Sequence, residues 1–467
     1  MNRRGQSLSG QFIDGFEIGP CLAQGGAAFL YECIHPDHDK SLLMKVPRLG
    51  INQPVAGLIG FETECLVQPR LDMIHAPKVY GVGALDEQPY IVMEAVPGRT
   101  LENLIATRGA MPLEDLIEIG AAIARALHAI HRAQVIHLDV KPANMILHPD
   151  GHIVLLDFGF AHHAQCPDLF YEAQMKGVGS PVYIAPEQIL GARHDPRSDQ
   201  FALGVTLFEM ATGKLPFGEM EADSEMKQRL WRVPTPPRSL RPELPPWFQE
   251  VVLRCLEANP DDRFPSCGQV AWLFENPNKI ELTPRRQRTE AAGFWEQARR
   301  WWRMRKNPAL QRVTTAINPL DRAPIVLVAL DPESDDEALL EALRNATRRT
   351  MTTSPESRLS CLSIITSSNA QEKVGDNESE RQHDTIVALQ HWASTLRLPE
   401  NQLSMHVFEE SDAAQRILSF AEHNHVDLII LGASHANNRI ERVRSTMTRV
   451  VSRAHCSVIV VRPHVVE

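Results

Sequence analysis

Residues 135–157, VIHLDVKPANMILHPDGHIVLLD, constrain the fold of this chain more tightly than any other stretch. Asp139, Lys141 and Asn144 crowd into HLDVKPAN, and Asp157 closes the apolar run VLLD. A charged group carried into an apolar layer needs a partner, because an unpaired buried ion is costly. Two carboxylates and an amide brought to one point form an oxygen-rich site that suits Mg2+, with Mn2+ as the alternative. The chain has to fold so that these residues face one place.

Texture divides the 467 residues into three regions. At roughly 100–200 residues per domain, that length fits two or three domains. Residues 12–277 are dense in apolar patterns broken by Gly and Pro. Residues 278–322 are basic, Trp-rich and bounded by prolines. Residues 323–467 open on APIVLVALD and close on CSVIVVRP, two buried-strand patterns with helical stretches between them. Strands alternating with helices imply a parallel sheet.

Composition, 43% hydrophobic and 23% charged, is that of a globular protein. A formal net charge of -10 gives no overall basic field for nucleic acid. No apolar run reaches the ~18–20 residues that span a bilayer. The start, MNRRGQSLSGQF, lacks the apolar segment of a secretory signal. Eight cysteines without a C-x-x-C pair are expected to be reduced thiols of a cytoplasmic protein rather than zinc ligands.

The first region adds more pieces. FEIGPCLAQGGAAFLYEC alternates around a small-residue turn, where backbone amides can approach phosphates closely. Lys45, in the strand-like SLLMKVP, needs a partner, and Glu64 in the helical IGFETECLV is the candidate. HLDVKPAN and VLLDFGF follow. Taken in order, these pieces resemble the protein kinase family, in the style of the eukaryotic-like Ser/Thr kinases of bacteria. The likeness runs on through GVGSPVYIAPEQ, DPRSDQFALGVTLFEM and NPDDRF.

The resemblance implies an α+β bilobal kinase fold over residues 12–277. It implies transfer of the γ-phosphoryl group of ATP to Ser and Thr hydroxyls of proteins, the kinase itself included. It also implies that Asp139 orients or deprotonates the attacking hydroxyl, that Lys141 neutralises charge on the moving phosphoryl group, and that Asn144 and Asp157 hold the metal. Lys45 is to grip the α- and β-phosphates and pair with Glu64. Ala23, Gly25 and Ala28 take the places of three loop glycines, with Leu22 and Gly26 beside them, and Leu30 covers the adenine. Met93 stands as gatekeeper, and Glu94, Ala95 and Val96 as hinge. Glu187 and Arg263 are expected to pair in the C-terminal lobe.

Some positions depart from the family pattern. Two of the three loop glycines are alanine, which restricts positive φ. Pro69 threatens an early end to the helix of Glu64. Gln68 stands where an apolar spine residue is usual. A pseudokinase scaffold or nucleotide sensor without phosphotransfer is therefore the alternative. The presence of Lys45, Asp139 and Asp157 together favours the active enzyme.

Leu138 occupies the place where the resemblance expects an arginine that receives a phosphate from the activation loop. Residues 159–179, GFAHHAQCPDLFYEAQMKGVG, hold no serine or threonine, Tyr171 being the one hydroxyl. Receptor and ligand are missing together, so activity is expected not to depend on phosphorylation of that loop. Leu138 is expected to pack in a loop ordered by its own apolar residues, Leu169 and Phe170 among them. Ser180 matches the residue that faces Lys141. Cys166 reads as a surface cysteine, and His162 with His163 as solvated.

In the linker, FWEQARRWWRMRK (residues 294–306) can form a basic amphipathic helix. Such a helix can lie on an anionic membrane. Docking of Trp295, Trp301 and Trp302 on the chain's own domains is favoured over that.

The ends of the last region resemble the universal stress protein family, which implies an α/β open parallel sheet of Rossmann-like type over residues 323–467. Gly432, His435, Ser445 and Thr446 stand where nucleotide-binding members carry G-x2-G-x9-G-[ST], and Asp331 where they contact adenosine. Two of those glycines are lost, so weak ATP binding or none is expected. The last strand, CSVIVVR, is expected at a sheet edge where it pairs with its twin in a homodimer.

Overall fold

The computed structural model describes residues 8–25, 28–48, 55–83, 89–166, 168–173, 175, 177–218, 226–288, 290, 324–332, 334, 336–355, 357–365, 378–399, 402–424, 426–433 and 446–463. The chain divides into two compact units. One is Met1–His163 with Met175–Ala316, and the other is Ala164–Gln174 with Ile317–Glu467.

The first unit begins with a sheet in the order β1-β2-β3-β4-β6-β5. Its strands are β1 (Phe12–Ile13), β2 (Phe16–Gln24), β3 (Ala28–His35), β4 (His38–Pro47), β5 (Val79–Val82) and β6 (Ile91–Glu94). Period-2 alternation drives this layer. Phe29, Tyr31 and Cys33 of β3 point to one face and join Phe16, Ile18, Leu42 and Met44 in a core. Helix α1 (Val55–Val67) adds Phe61, which packs with Ile91 and Met93. Pro69 does end the α-helix here: a 3-10 turn, Gln68–Arg70, takes over at once.

The rest of this unit is mainly helical. After β7 (Arg99–Thr100) and α2 (Leu101–Arg108) comes α3 (Leu113–Arg132). In α3, Leu116, Ile119, Ile123, Leu127 and Ile130 recur at helical spacing and are buried. Glu114 and Asp115 sit in its first turn and Arg132 in its last, each sign matching the helix dipole. Helix Arg197–Thr212 is buried almost all round and crosses helix Pro246–Cys255 closely. A Cβ at Gly204 would come within 2.8 Å of the Cys255 Cβ, so only glycine fits there.

Between the helices lie short strands: β8 (Val135–Ile136), β9 (Met145–Leu147), β10 (Ile153–Leu155) and β11 (His162–His163). They pair as β10-β9-β7 and β11-β8. His162 and His163 are thus not solvated. They pair in register with Ile136 and Val135 and are 9% and 8% exposed. Burial pushes the His163 imidazole down to about 4.

The second unit is a parallel sheet in the order β14-β13-β12-β15-β16. The strands are β12 (Ile325–Ala329), β13 (Arg358–Ile365), β14 (Leu403–Glu409), β15 (Leu428–Gly432) and β16 (Ser457–Val461). Alternation along β12 places Val326 and Val328 in a core with Leu343, Met351, Leu389 and Trp392. Ile325 and Leu327 enter another with Ile417, Phe420 and Val450. Helices Glu337–Thr353 and Glu378–Ser394 supply the first core, and Ala413–His423 and Thr446–Arg453 the second. Both faces being covered explains the near-continuous apolar strands of this region.

The same unit includes Ala164–Gln174. Cys166 in that segment is 1% exposed, its carbonyl accepting a hydrogen bond from the Arg358 guanidinium. It is a buried cysteine, not a surface one. Leu169 and Phe170 are buried in this unit as well.

Candidate active site

A cleft of about 790 Å³ opens beside the six-stranded sheet. Leu22, Ala23, Gly25, Ala28, Leu30, Lys45, Met93, Glu94 and Val96 all line it, and so do Glu64 and Asp157. Gly26 lies outside the described residues. Ala23 is within β2 and Ala28 opens β3, and neither has positive φ. An extended backbone carries a Cβ without strain, so the two alanines fit where glycine was expected. Gly25 N–H donates to the Ala28 carbonyl at 2.9 Å and closes the turn.

β4 and α1 together position the first charged group. Lys45 Nζ lies 2.5 Å from Glu64 Oε2 and 3.0 Å from Asp157 Oδ1. Burial works against the Lys45 charge, but Glu64 and Asp157 outweigh it and hold the ammonium above the ordinary lysine range. Burial pushes the Glu64 carboxyl up to about 7, against the pull of Lys45. Burial also acts to raise Asp157, yet Lys45 prevails and holds it below the usual carboxylate range. Asp157 has φ 59°, a left-handed conformation rare outside glycine, which marks a position fixed by its surroundings.

The second group lies in the 137–144 segment. Asp139 is 2% exposed. Its Oδ2 accepts from Asn144 Nδ2 at 3.0 Å and lies 2.8 Å from Lys141 Nζ, and its Oδ1 accepts from Ser180 N–H at 2.8 Å. Lys141 Nζ also donates to Ser180 Oγ at 2.7 Å. Asn144 uses its amide nitrogen on Asp139, which leaves Oδ1 as an acceptor, and Asp157 gives only Oδ1 to Lys45. The carbonyl oxygen of an amide and the second oxygen of a carboxylate are the hard donors that a Mg2+ or Mn2+ ion takes. The residues therefore fit such an ion. Gly179 has φ +132°, and a Cβ there would come within 3.1 Å of the Leu138 carbonyl oxygen. Glycine lets the loop pass this close to Asp139.

Leu138 itself is 3% exposed and has φ 62°. Its amide donates to Asp199 Oδ1 at 2.8 Å, and its carbonyl accepts from Gln188 Nε2 at 2.9 Å. Asp199 Oδ2 accepts from His137 N–H at 2.8 Å and faces His131 Nε2 at 2.8 Å. Burial acts to raise the Asp199 carboxyl, but His131 outweighs it and the net shift is downward. The backbone at Leu138 is thus held by a buried carboxylate and an amide of the helical lobe.

Asp199 and Gln188 were not picked out from the sequence. The available signal was a charge at the head of DQFALGVTLFEM, a run otherwise too apolar to leave an acid unpartnered. Glu187 and Arg263 do meet: Arg263 Nη1 is 2.6 Å from Glu187 Oε1 and Nη2 is 2.8 Å from Oε2, both side chains being fully buried. Gln68 is 1% exposed. Its amide nitrogen donates to the Pro77 carbonyl at 3.3 Å, while its Oε1 has no hydrogen-bond partner among the described residues.

In the second unit, Asp331, Gly432 and Thr446 line a smaller cleft of about 210 Å³ with Ala329, Leu330 and Leu431. It lies at the carboxyl ends of β12 and β15, where the strand order reverses, the usual ligand position in such sheets. His435 and Ser445 lie outside the described residues, as does the expected helix of residues 294–306. No helix among the described residues is long and apolar enough to cross a membrane.

Residues 16–272, more than half of the chain, match the protein kinase domain, and residues 324–462 match the universal stress protein family. A probable serine/threonine-protein kinase of Clostridium perfringens is 28% identical over 264 residues, 56% of this chain and 38% of that protein. Serine/threonine-protein kinase PksC of Streptomyces coelicolor is 30% identical over 296 residues, 60% of this chain and 52% of the relative. PknL of Mycobacterium tuberculosis is 31% identical over 243 residues, 52% of this chain and 60% of the relative. The chain thus spans about half the length of these relatives. The PknI kinase domain of Mycobacterium tuberculosis aligns with 58% of this chain and 98% of its own at 28% identity and a TM-score of 0.46.

Proposed function

Since the chain belongs to the protein kinase family, we propose that it is a Ser/Thr kinase that transfers the γ-phosphoryl group of ATP to protein hydroxyls, its own among them. The observation that carries this reading is the joined set Lys45–Glu64–Asp157 beside Asp139, Lys141 and Asn144. Lys45 holds the α- and β-phosphates. Asp139 receives the proton of the attacking hydroxyl as its oxygen bonds to the γ-phosphorus and the bond to the β-phosphate oxygen breaks, releasing ADP. Lys141 stabilises the charge that develops on the moving group. Mg2+ or Mn2+ held by Asn144 and Asp157 supplies neutralisation of the phosphate charge.

The kinase domain is assigned to residues 12–277, the linker to 278–322 and the universal stress protein domain to 323–467. Phosphorylation of residues 159–179 is not part of control, a reading supported by a Leu138 backbone already fixed by Asp199 and Gln188. Autophosphorylation falls on the linker instead. Thr283 is a poor target, because its hydroxyl donates to Glu250 at 2.7 Å; Thr289, Thr314 and Thr315 are better ones.

The C-terminal domain pairs two copies through the edge strand β16, where Ile459 and Val460 are 38% and 37% exposed. It binds ATP weakly or not at all. The protein works in the cytoplasm, which its eight free cysteines support.

An intact-mass autophosphorylation assay with Mg-ATP tests the activity. Phosphate accumulates on the wild type and not on Asp139→Asn; equal incorporation in both would sink the proposal and leave the scaffold reading. Light scattering tests the pairing: Ile459→Lys in the full chain should halve the mass, and a monomeric wild type would overturn it.

A further inference from the structure

Away from the cleft, the β9–β10 turn brings together side chains that the proposed reaction does not use. The turn is HPDGH, residues 148–152. Gly151 N–H donates to the His148 carbonyl and His148 N–H to the His152 carbonyl, each at 2.9 Å. Gly151 has φ +85°, the left-handed position that closes such a hairpin. Pro149, Asp150 and Gly151 satisfy the needs of the turn. His148 Nδ1 accepts from the Asp150 N–H at 3.2 Å and so helps hold the turn, but hairpin geometry asks for no histidine at 152.

The two imidazoles stack, with centroids 4.3 Å apart and planes 28° from parallel. Asp150 Oδ2 is 3.3 Å from His148 Nδ1. One nitrogen or oxygen from each of His148, Asp150 and His152 lies within 4.8 Å of the others. His75 stands next to them, 6.1 Å from His152 between centroids. Its Nδ1 bonds the Ile153 carbonyl at 2.8 Å, and the Ile74 carbonyl faces the His152 ring. A carbonyl at one ring nitrogen fixes the tautomer and presents the other nitrogen as a lone pair, the arrangement of metal-ligating histidines.

We infer that His148, Asp150 and His152 form a site for Zn2+, or another divalent ion that prefers imidazole, with His75 as the fourth protein group. Bonds of ~2.1 Å in a tetrahedron set ligand atoms ~3.4 Å apart, so the atoms of His148, Asp150 and His152, within 4.8 Å of one another, close by up to about 1.4 Å, and His75, outside that group, moves farther. Asp150 makes this easy, because its side chain is 78% exposed and free to swing inward. Two imidazoles and one carboxylate favour zinc, nickel or cobalt over magnesium, which demands oxygen. The site is therefore chemically distinct from the oxygen pair of Asn144 and Asp157. It borders a cleft of about 440 Å³ shared with Glu94, Ala95 and Val96. A metal here ties the β9–β10 turn to the Ile74–His75 segment just below those hinge residues.

Zinc chloride is titrated into the full chain by calorimetry, beside the His148→Asn/His152→Asn double variant. The wild type should take up one more equivalent than the double variant. Its thermal unfolding should rise with zinc, since a ligand that binds only the folded state stabilises it. The double variant should lose most of that rise, and Mg2+ should not reproduce it. Equal stoichiometry and equal thermal response in both proteins would overturn the site.

Asp150→Ala guards against a folding defect, because its side chain is exposed. It should weaken that equivalent by at least ~10-fold, the low end of what losing a supporting group costs a metal site. Unchanged affinity in Asp150→Ala would remove the carboxylate from the site and overturn the assignment as stated. Neither variant touches the residues proposed for phosphoryl transfer, so the assignment can fail while kinase activity stands, and the reverse.

Discussion

The large cleft of the first unit and the small cleft of the second differ in what lines them. The cleft in the first unit is lined by Lys45, Glu64 and Asp157, joined by contacts of 2.5–3.0 Å, and Asp139, Lys141 and Asn144 form a second joined set at 2.8–3.0 Å. The cleft at the switch point of the second unit is about 210 Å³, and among the described residues Asp331 is its one charged lining residue. A Cβ at its Gly432 would come within 3.0 Å of the Leu339 side chain, so that glycine serves packing between strand and helix. A phosphate site needs room, donors and positive charge; the first cleft has all three. Resemblance to a nucleotide-binding family says where to look, and the lining decides what can be held there.

The largest expected effect breaks the first cleft and spares the second. Lys45→Met should lower the phosphotransfer rate on the order of 10^3-fold, since preorganised charge carries most of the catalysis. Asp331→Ala should leave that rate unchanged. A comparable loss in both would mean that the second cleft takes part in turnover. Initial rates at saturating acceptor decide between these outcomes.

Ion pairs offer the next contrast. Glu187 and Arg263 are fully buried, whereas Asp412 and Arg449 in the second unit are about one-third exposed. Arg263→Ala leaves a carboxylate buried without its partner and should cost about 3–5 kcal/mol in urea unfolding. Arg449→Ala should cost far less, because water solvates what remains. Similar losses from the two variants would break the comparison.

The pH response is smaller and has a definite sign. Burial raises Glu64 to about 7, above the roughly 4.3 of an unfolded glutamate. Its contribution to stability is thus full below the unfolded value and is lost as the pH rises through 7. Pairing with Lys45 needs the ionised form. Activity should therefore climb as the pH rises through 7, over the same window in which this group gives up stability. A pH–rate profile alongside thermal melts checks it. A rate that is flat between pH 6 and 8 would show that Glu64 stays ionised throughout.

The smallest expected effect is none. Phosphatase treatment of the purified protein should leave its initial rate unchanged, because Leu138 is fixed through Asp199 and Gln188 rather than through a phosphate. A lag that prephosphorylation abolishes would contradict this.

Much of the active site is legible in the sequence, for a physical reason. Lys45 lies inside an apolar strand, Asp157 closes an apolar run and Asp139 sits in the loop after β8, so each charge demands a partner, and few folds supply all of them. Asp199 was missed because a charge at the start of a helix looks like ordinary dipole matching; its burial shows only once α3 and the 135–138 segment close over it. Cys166 was misread because loops usually run over surfaces, whereas Ala164–Gln174 belongs to a compact unit. Gln68 stands out in the sequence as the wrong residue for an apolar spine, but that its oxygen has no partner among the described residues is a fact of packing.

The sequence by itself determined the two folds and the chemistry of the first cleft. Alternation and helical period are local, and a buried charge announces its need for a partner wherever it stands. Only the tertiary structure decided other partners: Asp199 and Gln188 for the Leu138 backbone, and His75 for a turn more than seventy residues away. Those pairings depend on distances between segments far apart in the chain, and such distances are set by how the layers pack, which no local pattern encodes.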